Sequence, residues 1–236
     1  MQMTFRANRR KFLSFIGASA LLLGAGASNL AHAGEAQDQL VEKAKFTITN
    51  VAAQSEMEQF RKLLAVAKGV VVFPQVLKAG FFVGGAGGSG LLLGKNEAGE
   101  WSSPAFYRMG QGSIGLQFGA QANELVLVIM TEKGLQAIIN NQVKLGGDLS
   151  AAVGPVGTTL GASTTTNLKV DVFSFAISKG LFIGASVEGS ILSSNSDSNE
   201  SYYGKPITSQ QIVIDRAVNN AQADGLKAAL TAAEAK

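Results

Sequence analysis

The chain contains no cysteine, which excludes disulfide bridging, thiol catalysis and lipid attachment to an N-terminal cysteine. Its one histidine, His32, lies within the first 33 residues, which read as an export leader. Beyond that point the chain offers neither imidazole nor thiolate, so the usual zinc ligands and the commonest general base are missing. No metal or cofactor is expected. Positive charge is scarce as well. The formal +3 belongs to the leader: without Arg6, Arg9, Arg10 and Lys11, 16 basic residues face 17 acidic ones and the net charge is −1. Such a chain has no positive field to draw it to DNA or RNA, and no nucleic-acid partner is expected.

What is present suits one globular domain with appendages. The length of 236 residues and a hydrophobic content of 46% support a sizeable core. The polar run SSNSDSNES over 193–201 is the one stretch whose composition suits disorder.

Residues 1–33 carry the three parts of an export signal. Basic FRANRRKF precedes an apolar run over 15–30, and Ala31-His32-Ala33 forms an A-x-A cleavage site before Gly34. Arg9-Arg10-Lys11-Phe12-Leu13 matches the twin-arginine (Tat) pattern R-R-x-F-L; a general secretory signal and an uncleaved anchor are the alternatives. A periplasmic or cell-envelope location follows, with residues 34–236 as the exported domain.

Two helices come next. Over 36–53, Leu40, Val41, Ala44, Ile48, Val51 and Ala52 fall on one arc at helical spacing. Lys43 and Lys45 flank that arc, each about 100° from Ala44, and Phe46 falls on the far, polar side. Two arrangements fit: an interfacial helix with lysines reaching lipid phosphates, or a helix packed on a core with Phe46 covered by another element. Ser55-x-x-Glu58 has the form of a capping box opening a second helix, which Lys68 and Gly69 end.

Residues 70–94, VVVFPQVLKAGFFVGGAGGSGLLLG, switch to strand character. Eight of the 28 glycines fall between positions 69 and 94, implying tight turns or very close packing among short apolar strands of roughly 4–6 residues. Gly85-Ala86-Gly87-Gly88-Ser89-Gly90 spells G-x-G-x-x-G, but Leu91-Leu92-Leu93-Gly94 follows where a dinucleotide site needs a helix. Nucleotide binding is therefore set aside. Further strands are expected over 114–118 and 125–130, with a hairpin loop at 96–99. A helix capped by Thr131 is expected over 132–140. More strands fill 149–192, where Gly180-Leu181-Phe182-Ile183-Gly184 echoes Gly80-Phe81-Phe82-Val83-Gly84. C-terminal helices follow a second capping box, Thr208-x-x-Gln211, with Gly225 as the expected interruption.

Catalytic patterns are weak. Glu97, Glu100, Glu124, Glu132, Asp148, Asp171 and Glu188 are scattered singly, and nothing selects a pair for acid–base work. Ser178 beside Lys179 is a formal nucleophile–base pair, but adjacent turn residues rarely face each other. The SDSNE run at 196–200 lacks calcium-loop spacing.

Several long stretches resemble one family. VVVFPQVLKAGFFVGGAGGSGLLL, WSSPAFYRMGQGSIGLQFGAQANELVLVIMTEKGL, AAVGPVG, FAISKGLFIGASVEGSIL and NESYYG, in unbroken order over about 36–230, are similar to the SYLF domain, also called the actin-binding DUF500 domain. The resemblance implies a non-enzymatic lipid-binding module. In that family eukaryotic members recognise phosphoinositides, some fungal members also bind actin, and bacterial members are exported single-domain proteins. An exported bacterial protein would meet actin only if delivered to a host.

The resemblance also implies that membrane contact runs through a basic, amphipathic N-terminal region. Here that is 36–68, with Lys43, Lys45, Arg61, Lys62 and Lys68 as candidates beside Phe46. Lys78 and Lys179 match the family pattern before their Gly-x-x-x-Gly runs and join the candidates. The expected fold is α+β: a Gly-rich, mainly antiparallel sheet or barrel flanked by N- and C-terminal helices. A structural outer-membrane β protein is the alternative, weakened by strands shorter than the roughly 9–11 residues that span a bilayer. A carboxylate-dependent enzyme is the second alternative.

Overall fold

The computed structural model describes residues 24–80, 83–114, 119–140, 142–156, 170–178, 181–182 and 186–235. Arg9, Arg10 and Lys179 lie outside them, as does half of the echoed Gly-x-x-x-Gly pair.

Four long strands form the centre: β1 (Gly69–Gly80), β2 (Val83–Gly94), β3 (Ala105–Ile114) and β4 (Gly119–Ile129). Shorter strands extend them: β5 (Val143–Lys144), β6 (Ala151–Val153), β7 (Val172–Ser178), β8 (Leu181–Phe182) and β9 (Ile191–Ser194). The order is β5-β9-β3-β2-β1-β4-β7-β6, with β8 on β7; every pairing is antiparallel except β6 with β7. The fold is α+β, as expected. Among the described residues the sheet is open, ending at β5 and β6.

The expected short strands separated by glycine turns are corrected. The glycines lie inside strands of 10–12 residues, so strand length no longer argues against a spanning barrel. Instead helices cover both faces of the sheet where residues 70–73, 91–93 and 125–129 pair. A Cβ on Gly88 would collide with the Gln75 carbonyl, and one on Gly69 would sit 2.9 Å from the Leu93 carbonyl oxygen. Glycine is there because neighbouring chains approach too closely for a side chain. Pro74 and Gln75 sit in a bulge of β1, where the missing proline N–H costs no ladder bond.

One face of the sheet packs Val70, Val72, Leu91, Leu93, Phe106, Val126 and Val128 against helices α1 (Gly24–Ala53), α2 (Glu58–Val66), α4 (Ser196–Tyr203) and α6 (Asp224–Glu234). The other face buries Val71, Phe73, Leu92, Tyr107 and Leu127 under α3 (Glu132–Asn140) and α5 (Ser209–Val213). Among the described residues no helix is long and apolar enough to cross a membrane.

Local signals fared unevenly. Thr131 Oγ1 accepts from Gly134 N at 3.0 Å at the start of α3, and the Thr208–Gln211 capping box is complete. The 96–99 loop closes through Gly99 N to Asn96 O, with Gly99 at φ 81°. The Ser55 capping box does not form. Ser55–Met57 is a 3-10 turn and α2 starts only at Glu58, because Arg61 Nη1 donates to the Ala52 and Gln54 carbonyls and fixes the link differently. Helix α2 ends at Val66, and Gly69 opens β1. Residues 196–203 are helix rather than disordered, capped by Asn195 and ended by left-handed Gly204. Gly225 lies inside the first turn of α6; the break falls earlier, around Arg216 at φ 51°. Gly225 faces Lys45 Cδ, 3.1 Å from where its Cβ would be, so it lets α6 approach α1.

Asp171 locks the sheet edge to α3. Its carboxylate accepts from Thr131 Oγ1 at 2.7 Å, Ser150 Oγ at 2.8 Å and Ser150 N at 3.1 Å. Burial pushes its pKa up, but these hydrogen bonds, with Lys133 adding to them, outweigh burial and hold it below the usual carboxylate value. A group with a depressed folded pKa stabilises above its unfolded pKa, and that contribution disappears as pH falls through the folded one. Asp171→Ala is therefore expected to cost about 2 kcal/mol at neutral pH. In urea melts the gap from wild type should close steadily below about pH 4; a gap constant down to pH 2 would contradict the assignment.

Candidate functional site

Helix α1 explains why its sequence supports two opposed readings. Of the apolar arc, Val41, Ala44, Ile48, Val51 and Ala52 are buried against the sheet and α6, and Leu40 is half-buried at its edge. The arc belongs to the core, so it does not lie free to enter lipid. The outward face is another matter: Gln39, Lys43, Phe46 and Asn50 are exposed, and Phe46 is 59% accessible. Among the described residues no neighbouring element covers it. Lys43 and Phe46 stand about 60° apart around the helix and one turn apart along it.

The other basic candidates are distributed differently. Lys45 pairs with Glu42, and its ammonium lies 5.1 Å from the Phe46 ring centroid. Arg61 is committed to the α1–α2 link. Lys62 pairs with Glu58 at 2.5 Å. Lys68 is exposed at the junction of α2 and β1, without an ion pair among the described residues. Lys78 is half-buried beside Val76, Asn123, Leu125 and Ala176, residues of the second core face. The structure thus brings Lys43, Lys45 and Phe46 together and sets Lys62, Lys68 and Lys78 apart from them.

A cleft runs between the exposed edge of α1 and strands β1 to β3. Its larger part, about 440 Å³, is lined by Leu40, Lys43, Leu77, Gly87, Ser89 and Arg108, among others. A second part of about 280 Å³ shares Leu40, Lys43 and Ser89 and reaches Gln37, Asn195 and Ser198. The strand register creates it: Ser89 pairs directly with Arg108 across β2 and β3, and neighbouring Gly87 pairs with Gly110. Gly87 and Gly88 of β2 leave an open floor beside the two polar side chains. Among the described residues no carboxylate lines either part, and neither Lys43 nor Arg108 has an ion pair. Gln37 donates from Nε2 to Ser198 Oγ at 3.1 Å, while its Oε1 is buried without a partner.

Arg108 and Gln37 escape sequence reasoning because neither belongs to a basic run, and the family-like stretch that contains Arg108 gives it no role. Only knowledge that Arg108 faces Ser89, and that both face α1, makes them a site. No group of three or more potential metal ligands exists among the described residues.

Known proteins give this arrangement a context. The Ysc84 family model, described as Las17-binding protein actin regulator, matches residues 110–233. An SH3 domain-containing protein of Schizosaccharomyces pombe is 35% identical over 167 residues, 70% of this chain and 39% of that protein. SH3 domain-containing YSC84-like protein 1 of Bos taurus is 33% identical over 165 residues, again 70% of this chain and 48% of the relative. Protein YSC84 of Saccharomyces cerevisiae is 34% identical over 157 residues, 65% of this chain and 33% of its own length. The chain spans less than half the length of these relatives.

Proposed function

This chain belongs to the Ysc84 family, the family of the SYLF domain, and on that premise we propose that it is a non-enzymatic phospholipid-binding protein of the cell envelope, contacting the membrane through the outward face of α1. The supporting observation is Phe46: a large aromatic, 59% exposed, on a helix whose opposite face packs on the core. Lys45 lies beside its ring and Lys43 one turn away. An aromatic entering the acyl boundary while lysines meet headgroup phosphates is the usual division of labour at a membrane surface. The contact is made by a rigid helix already packed on its sheet, with no unfolding of α1.

Co-sedimentation of the full chain with vesicles tests this. Phe46→Asp is expected to weaken vesicle binding about tenfold or more, because transfer of a phenylalanine side chain out of water is worth about 1.5–3 kcal/mol. The melting temperature should stay unchanged. Unaltered binding would remove the proposal, and a large drop in melting temperature would mark Phe46 as structural.

A further inference from the structure

We propose that the cleft between α1 and strands β2 and β3 seats the headgroup of an anionic glycerophospholipid, with its phosphoryl group between Lys43 and Arg108. The inference rests on the membrane-binding reading above and names the subsite within that surface.

Charge carries most of the weight. Lys43 and Arg108 line one cavity of about 440 Å³, and no described carboxylate neutralises them. Two like charges left facing the same space repel, and an anion between them removes that cost. Arginine adds a planar fork suited to phosphate oxygens, and lysine adds a mobile point charge. Ser89, directly opposite Arg108 in the strand register, supplies a hydroxyl, and Gly87 keeps the floor free of side chains.

Two further features narrow the ligand. In the adjoining part of the cleft, Gln37 Oε1 is a buried acceptor without a partner, since its amide nitrogen is committed to Ser198. A headgroup hydroxyl reaching it would donate the missing hydrogen bond. Leu77, 56% exposed, stands on the cleft wall, where an apolar side chain suits an acyl–glycerol stem better than a soluble anion. Phe46 lies one turn along α1 from Lys43. A membrane surface touching that ring brings headgroups to the cleft.

The test compares the full chain and its variants on two vesicle types, phosphatidylcholine alone and phosphatidylcholine doped with phosphatidylglycerol, with glycerol 3-phosphate and inorganic phosphate titrated separately. Arg108→Gln is expected to lower binding to the doped vesicles about fivefold while leaving binding to phosphatidylcholine and the melting temperature unchanged, and Lys43→Gln, which also belongs to the α1 contact, should lower binding to the doped vesicles at least as much. Lys68→Gln, an exposed charge outside the cleft, should have clearly less effect. Equal losses from Lys68→Gln and Arg108→Gln would reduce the effect to general surface charge and overturn the cleft assignment. Saturation by glycerol 3-phosphate or phosphate as tightly as by vesicles would overturn the lipid as its occupant. Wild-type binding that depends on Phe46 but not on Arg108 would overturn the cleft alone. Failure to bind either vesicle would remove the membrane reading and the cleft with it.

Discussion

Replacing Gly90 by alanine is expected to cost about 3 kcal/mol of folding stability, although the change adds a single methyl group. A Cβ at Gly90 would lie 2.5 Å from both Phe73 Cδ1 and the Val72 carbonyl oxygen. Neither can yield cheaply: Phe73 is fully buried in the second core cluster, and Val72 is held by pairing with Leu91 and Val126. Gly110→Ala and Gly112→Ala supply the comparison, because nothing lies within 4 Å of the added carbon at either site. Both are expected within about 0.5 kcal/mol of wild type. Urea melts of the three variants separate two origins for the glycine-rich sequence. If the glycines existed only to keep strands slim, all would respond alike. If the approach of neighbouring strands dictates them one by one, Gly90 fails while Gly110 and Gly112 tolerate substitution. The glycines of the G-x-G-x-x-G pattern thus differ: Gly90 is tight, while at Gly85 the added carbon would stand 3.7 Å from its nearest neighbour. That variation follows from strand packing and has no counterpart in a phosphate-binding loop.

The same stretch shows what the sequence could and could not disclose. Features set by a few adjacent residues were legible: the Thr131 and Thr208 caps, the 96–99 hairpin and the buried arc of α1. Strand length was not. Glycine runs are marked as turns by local propensity, yet in β2 they continue for half the strand because pairing on both sides supplies the order that the residues lack. The polar run after β9 became a helix for a related reason: Asn195 caps it, and Asn199 is buried with its Oδ1 accepting from Phe106 N at 2.7 Å. Composition registers the polarity of that run and misses its tertiary partner. The site was half legible. Lys43 and Phe46 stand out on the helical wheel, whereas Arg108 gains meaning only from a register 65 positions downstream of Lys43.

Glu234→Ala is expected to have the largest effect of any single change considered, about 4 kcal/mol. Glu234 Oε2 pairs with Lys95 Nζ at 2.7 Å, and Oε1 accepts from Trp101 Nε1 at 2.7 Å. The Lys95 side chain is only 8% exposed, also donates to the Ala65 carbonyl at 2.8 Å, and lies 5.3 Å from the Trp101 ring centroid. Removing the carboxylate leaves a mostly buried ammonium without its counter-charge and an indole N–H without its acceptor. Exchanging both partners, Lys95→Met with Glu234→Gln, removes the buried charge and keeps an acceptor for Trp101, so it should recover most of the loss. Equal stability of the single and double variants would refute this account. The node bears on function because it fastens the end of α6, which backs α1 through Leu226, Leu230 and Ala233. If membranes were bound by releasing α1 and inserting its apolar arc, loosening α6 would make release easier and strengthen vesicle binding. If the outward face acts from a helix held in place, the cleft and Phe46 lose their alignment and binding weakens. Vesicle co-sedimentation of Glu234→Ala, at a temperature where the variant remains folded, decides between the two, and weakened binding is the expected result.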